Sequence, residues 1–142
     1  MKSFKPNKET SEKAHVSSLK EYQEIYDYSI SNPKEFWAEQ AERITWFKKW
    51  DQVWNWDFKE ADISWYNGAQ LNACYNCVDR HVENGYGNET ALIWEGNDPS
   101  ENKTLTYNDL LKEVQLAANS LKNLGVEKGD RVCIYMQMIP EL

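Results

Sequence analysis

A chain of 142 residues carrying a net charge of -7 has room for one domain, or for a small extension plus part of a second. The acidic balance, with a pI near 4.9, argues against a nucleic-acid backbone or an anionic membrane as partner, since both call for clustered Lys and Arg. No run approaches the roughly 18 to 20 apolar residues of a spanning helix, and the basic N-terminus lacks the apolar segment of a signal peptide.

Residues 1–18 are Lys, Ser, Thr and Glu with little to bury, and read as a flexible tail. Glu9 and Glu12 within it weigh against a mitochondrial targeting segment. Leu19, Tyr22, Tyr26 and Ile30, flanked by Ile25, predict an amphipathic helix that stops before Asn32-Pro33. Asn32 as N-cap, Pro33 at the first helical position and Glu35 at the third predict a second helix. Its apolar side is Phe36, Trp37, Ala41 and Ile44. Helices this short need something larger to pack on.

The pattern changes over residues 45–67. Trp54, Trp56 and Phe58 alternate, as do Ile63 and Trp65, so short strands and loops are expected. Residues 72–82 predict a helix, with Leu71, Cys74, Tyr75, Val78 and Val82 on one broad face and Gly85, Gly87 and Asn88 ending it. Ala91 to Trp94 reads as a strand, and the turn-rich residues 96–102 join it to a second extended segment at 104–106 as a hairpin.

Residues 103–142 carry the clearest pattern in the chain. Thr106 with Asp109 resembles a capping box. Leu110, Val114, Ala117, Leu121 and Leu124 then line one helical face, and Gly125 suits the left-handed C-cap position. Arg131 to Met136 is apolar at both parities over its central residues, as an inner strand of a parallel sheet is. A right-handed β-α-β crossover is therefore expected, with Pro140 in the first turn of a further helix. Only Glu141 and Leu142 follow, which suggests a piece of a larger α/β protein.

Several residue groups invite a chemical reading. Cys74, Cys77 and His81 follow Cys-x2-Cys-x3-His, and offsets of three and seven share a face on an α-helix. A structural zinc still needs a fourth ligand, which Cys133 supplies only if the fold brings it near. Buried thiols and a capping or surface histidine are the plainer reading. A thioredoxin-like dithiol lacks a convincing strand leading into Cys74. Trp46, Trp50 and Trp54 align only if that stretch is helical. Their rings suit a platform for flat ligands such as sugars, but packing against a partner domain is the commoner use of Trp. Asp57, Glu60 and Asp62 read as solvated loop carboxylates, and Asp79-Arg80 as at best a local ion pair. Neither a G-x4-G-K-[ST] loop nor a G-x-G-x-x-G or G-x-S-x-G motif is present. Three cysteines without a regular framework fit a reducing compartment, and a cytoplasmic location is expected.

A family resemblance runs through most of this pattern. Trp65-Tyr66-Asn67-Gly68, Leu71-Asn72, Tyr75-Asn76-Cys77-Val78-Asp79-Arg80-His81 and Ala91-Leu92-Ile93-Trp94-Glu95-Gly96 resemble the N-terminal portion of the AMP-forming acetyl-CoA synthetases, within the adenylate-forming superfamily. Leu105-Thr106-Tyr107, Gly129-Asp130-Arg131-Val132 and Tyr135-Met136-Gln137-Met138-Ile139-Pro140-Glu141-Leu142 continue the likeness in the same order. Asn32-Pro33 and Phe36-Trp37-Ala38 are similar to the helical extension of the acetyl- and propionyl-CoA members. Gln137 stands where a proline is usual, and Ala69 where a second glycine is common.

The resemblance implies an α/β fold: a helical N-terminal extension over residues 19–82, then the first strands and helices of the large AMP-binding domain over residues 83–142, incomplete. It implies a ligase that converts ATP, acetate and CoA to acetyl-CoA, AMP and pyrophosphate through acetyl-adenylate. A phosphate-cradling loop, Mg²⁺ and a lysine would serve that chemistry. In the family these parts, with the acyl pocket and the CoA-contacting arginines, fall beyond the counterpart of Leu142. No catalytic, cofactor-binding or metal-ligating residue is therefore carried onto this chain, and it is expected to bind none of ATP, CoA or Mg²⁺ by itself. The rival reading is a non-catalytic module that binds a partner protein through a Trp-rich face. A carbohydrate-binding domain is a third.

Overall fold

The computed structural model describes Phe4 and residues 6–142; the rest of the expected tail's beginning lies outside the described residues. The chain divides into two compact units, one ending at Leu71 and the other beginning at Asn72.

In the first unit, a short helix α1 (Lys8–Lys13) stands inside the segment read as tail. Local bonds account for it: Asn7 Oδ1 accepts from the Glu9 N–H at 2.9 Å, and Lys13 pairs with Glu9 one turn back at 2.8 Å. It buries nothing. Helix α2 (Leu19–Ser31) starts where Ser18 Oγ accepts from the Glu21 N–H at 3.1 Å. Helix α3 (Pro33–Ala41) follows after a single residue. That residue, Asn32, also donates its N–H to Tyr28 O at 2.8 Å to close α2. Its backbone is committed to both helices, and its side chain makes none of the expected capping bonds. Ala41 is buried on α3, whereas Ile44 lies past the helix end and is exposed.

Strands β1 (Gln52–Asp57) and β2 (Asp62–Asn67) form an antiparallel hairpin with Trp54 opposite Trp65 and Trp56 opposite Ile63. Asp57 Oδ1 accepts from the N–H groups of Lys59 at 2.9 Å and Glu60 at 3.3 Å, which shapes the turn. Phe58 falls in that turn and does not extend the alternation. Residues 45–51 are not helical, so the alignment of Trp46, Trp50 and Trp54 along a helix does not arise.

In the second unit, residues 73–86 are helical, running past the expected end at 82. Two wider π turns, Tyr75–Asp79 and Val82–Tyr86, interrupt the α geometry, and Gly85 takes φ 88°. Val78 is buried there. Strands β3 (Thr90–Glu95) and β4 (Asn102–Thr106) form the expected hairpin, with an irregular register between Thr90 and Leu92. Leu105 is buried beneath helix α4 (Tyr107–Asn123), which packs on both strands. The capping box is present in full. At the far end Gly125 has φ 83°, its N–H bonds Lys122 O at 3.0 Å, and the Val126 N–H bonds Leu121 O at 3.1 Å. This pair of bonds is a Schellman cap.

The expected inner strand at 131–136 is not formed, and with it the parallel β-α-β crossover is absent. Both sheets are two-stranded antiparallel hairpins. An inner strand takes its stability from neighbours on both edges and cover on both faces. Among the described residues no such neighbours stand beside this segment. Nor does Pro140 open a helix; it lies in a turn in which the Leu142 N–H bonds Ile139 O at 3.1 Å. What stands is a mixed α/β chain with N-terminal helices followed by sheet and helix segments.

Candidate functional site

The aromatic cluster of the first unit is the densest feature of the chain. The pleat puts Trp54, Trp56 and Trp65 on one face of the β1–β2 hairpin, and α3 adds Trp37. Trp54 lies nearly parallel to Trp56 (6.0 Å, 10°) and to Trp65 (5.9 Å, 20°), and Trp37 meets Trp65 edge-on at 5.8 Å. A second group forms on Tyr66, whose ring lies 5.3 Å from Trp46 and 5.1 Å from Trp50. Tyr66 holds φ 49°, and its hydroxyl donates to Trp37 O at 3.0 Å. Burial raises its pKa. The Trp46 indole N–H is spent on Ala41 O at 2.8 Å.

These rings pack on one another rather than forming a flat ligand platform. Trp46, Trp50 and Trp54 are half-buried, while Trp37, Trp56 and Trp65 keep exposed area. The Trp54 indole N–H is the one buried side-chain N or O, among the described residues, without a hydrogen-bond partner.

In the second unit, Cys74, Cys77 and His81 go separate ways. The Cys74 thiol donates to Asp79 Oδ2 at 3.6 Å, Cys77 is exposed, and the His81 ring lies 4.8 Å from that of Tyr107. Burial, then the Asp79 carboxylate, pushes the Cys74 thiol pKa up. The π turn explains the divergence, because its wider spacing carries an offset of seven off the face it would share on an α-helix. Cys133 is exposed on the irregular C-terminal segment. Among the described residues no three His, Cys, Asp or Glu side chains are placed to hold a metal ion.

Asp57 is a turn former opposite Asp62 at the hairpin end, and Glu60 donates its N–H to it. Asp79 holds Cys74, and Arg80 bonds Asn76 Oδ1 at 3.1 Å. Two contacts had no local signal in the sequence: Trp94 Nε1 donates to Met138 O at 2.7 Å, and Lys103 pairs with Glu141 at 3.3 Å. Their partners lie too far apart along the chain for periodicity to reveal them.

The residues at motif-like positions thus act as turns, caps and packing groups. They are scaffold chemistry, and the comparisons agree. Residues 22–77 match the model of the acetyl-coenzyme A synthetase N-terminus, and residues 78–142 continue without a gap into the AMP-binding enzyme model. The chain belongs to the acetyl-coenzyme A synthetase family. An acetyl-coenzyme A synthetase from Leptospira biflexa is 54% identical over 137 residues, covering 96% of this chain and 21% of its own length. One from Magnetococcus marinus is 54% identical over 122 residues, covering 85% and 19%. One from Halorhodospira halophila is 49% identical over 129 residues, covering 90% and 20%. The chain therefore spans about a fifth of the length of the curated relatives it matches. Within the acetyl-coenzyme A synthetase frame, α3 and the tryptophan hairpin fall in the N-terminal model, and β3, β4 and α4 in the AMP-binding model.

Proposed function

We propose that this chain is the N-terminal part of an AMP-forming acetate–CoA ligase, working in the cytoplasm. The observation that carries the reading is the unbroken succession of the two family models from residue 22 to 142. In the whole ligase, acetate attacks the α-phosphorus of ATP to give acetyl-adenylate and release pyrophosphate. The CoA thiol then attacks the acetyl carbonyl, giving acetyl-CoA and releasing AMP.

ATP with Mg²⁺ needs a phosphate cradle and oxygen ligands. The described residues do not fit that group: their acidic side chains form no three-donor cluster, and the sequence lacks a G-x4-G-K-[ST] loop. No step of the chemistry is assigned to residues here. The role of this chain is packing and support, and alone it is inactive.

Joining the chain to the part of the Leptospira biflexa enzyme that follows its matched region gives the test. The chimera is expected to release pyrophosphate in an acetate-dependent manner and to form acetyl-CoA, while the purified 142-residue chain stays at the level of a mock preparation. A soluble chimera without acetate-dependent release overturns the ligase reading; release by the chain alone overturns its inactivity. The exposed area on Trp37, Trp56 and Trp65 favours a second reading, a non-catalytic module that binds a protein through this face. It predicts a defined partner lost on Trp56→Ala.

A further inference from the structure

We infer that residues 131–136, with the C-terminal half of α4, are a strand-pairing surface for the polypeptide that follows the matched region in acetyl-coenzyme A synthetases, and that the pairing forms between separate chains. The inference rests on the family reading above and adds the surface, its chemistry and its sufficiency in trans.

The segment Arg131-Val132-Cys133-Ile134-Tyr135-Met136 has no Pro or Gly and a single charge, the composition of a strand. Its side chains lie open at both parities: Val132 is 53% exposed, Ile134 62%, Tyr135 101% and Met136 49%, and Cys133 is exposed too. Among the described residues, its N–H and C=O groups make no backbone hydrogen bond. Such a row of unpaired groups is a template for another strand.

The apolar stripe of α4 tells the same story. Leu110 and Val114 are half-buried in this unit, whereas Ala117, Leu121 and Leu124 face solvent. The segment is also tethered at both ends. The Schellman cap and the Glu127–Asp130 turn fix its start, and the Trp94–Met138 and Lys103–Glu141 contacts fix its end. Held this way, it loses less entropy on pairing than a free tail would.

Area identifies the kind of occupant. The chain exposes 12394 Å². Two well-packed bodies of half its mass would together expose about 9,200 Å², so some 3,200 Å² is in excess. That excess matches the large interfaces of permanent assemblies. Relatives of which this chain spans about a fifth supply ample further polypeptide to cover it. A second copy is the poorer occupant, because it brings another net charge of -7.

The test co-expresses the tagged chain with a separate polypeptide, the part of the Leptospira biflexa enzyme after its matched region. A 1:1 complex is expected, with amide exchange at 131–136 slowed roughly tenfold or more relative to the chain alone. Ile134→Pro removes one ladder N–H and orphans its acceptor, and should weaken capture roughly tenfold or more. Ile134→Val should retain capture. Ile134 is exposed and outside regular structure, so Ile134→Pro should leave the free chain's circular dichroism unchanged.

No capture beside a soluble joined chimera overturns the proposal. So does a complex indifferent to Ile134→Pro or unprotected at 131–136, or Ile134-dependent pairing of the chain with itself. The ligase reading fails separately: a protected 1:1 complex without acetate-dependent pyrophosphate release leaves the surface standing and removes the reaction.

Discussion

Thr106 caps α4 in both directions. Its Oγ1 accepts from the Asp109 N–H at 3.2 Å and donates to the Asp109 carboxylate at 2.6 Å, while its own N–H adds a bond at 3.0 Å. Thr106→Ala should cost about 1 kcal/mol, which reads as roughly five-fold faster amide exchange in the first turn of α4. The Thr106 hydroxyl first, then its N–H, lower the Asp109 pKa below the ordinary carboxylate value. A pKa lower in the folded state gives stabilisation that is full above the unfolded value and lost as pH falls through the folded one. Helicity in α4 should therefore decline as pH drops below the ordinary carboxylate range, and the decline should shrink in Thr106→Ala. A circular dichroism titration of the two proteins checks this. The thiols give a second residue-scale prediction. Cys77 and Cys133 are exposed, whereas burial and Asp79 raise the Cys74 pKa. Alkylation followed by peptide mapping should label Cys77 and Cys133 before Cys74, and Asp79→Asn should narrow the gap.

At the scale of elements, the β1–β2 hairpin depends on Trp65, which touches Trp37 on α3, Trp54 across the strand pair and the Tyr66 ring. Trp65→Ala removes all three contacts, each aromatic pair being worth about 0.5–1.5 kcal/mol beyond its area. The expected outcome is loss of the tryptophan exciton signal in circular dichroism and faster exchange in both strands, with α4 unaffected. This hairpin was legible because alternation of Trp54, Trp56, Ile63 and Trp65 is a local signature. The caps of α2 and α4 were legible for the same reason: Ser, Thr and Asp announce themselves within four residues. The π turns were not, since apolar spacing on one broad face fits both helix types and only the backbone bonds distinguish them. Residues 131–136 mark the opposite failure. Their strand composition is plain in the sequence, but a strand is a relation between segments, and its partners are not in this chain.

Across the whole molecule, the same lesson bears on stability. The candidate site was read as scaffold from the sequence, and the geometry gives its polar residues scaffold roles: Asp57 in a turn, Asp79 on a thiol, His81 against a ring. Yet scaffold without cover is weak. Among the described residues only Ala41, Val78 and Leu105 are buried apolar side chains, while Ile93, Ile134, Tyr135 and Met138 stand largely in solvent. Burial is worth about 25 cal/mol per Å², so a chain with so much uncovered apolar surface retains little margin over the entropy cost of ordering. The hairpins and the capped helix hold by local bonds and can open one at a time. Urea unfolding of the 142-residue chain should therefore be broad, with tryptophan fluorescence and far-ultraviolet circular dichroism falling at different concentrations. Once the chain is joined to the rest of the relative's polypeptide, the two probes should move together and the slope should steepen, because surface now exposed becomes surface that unfolding must uncover. Coincident, steep transitions in the chain alone would show a core that the burial pattern does not contain.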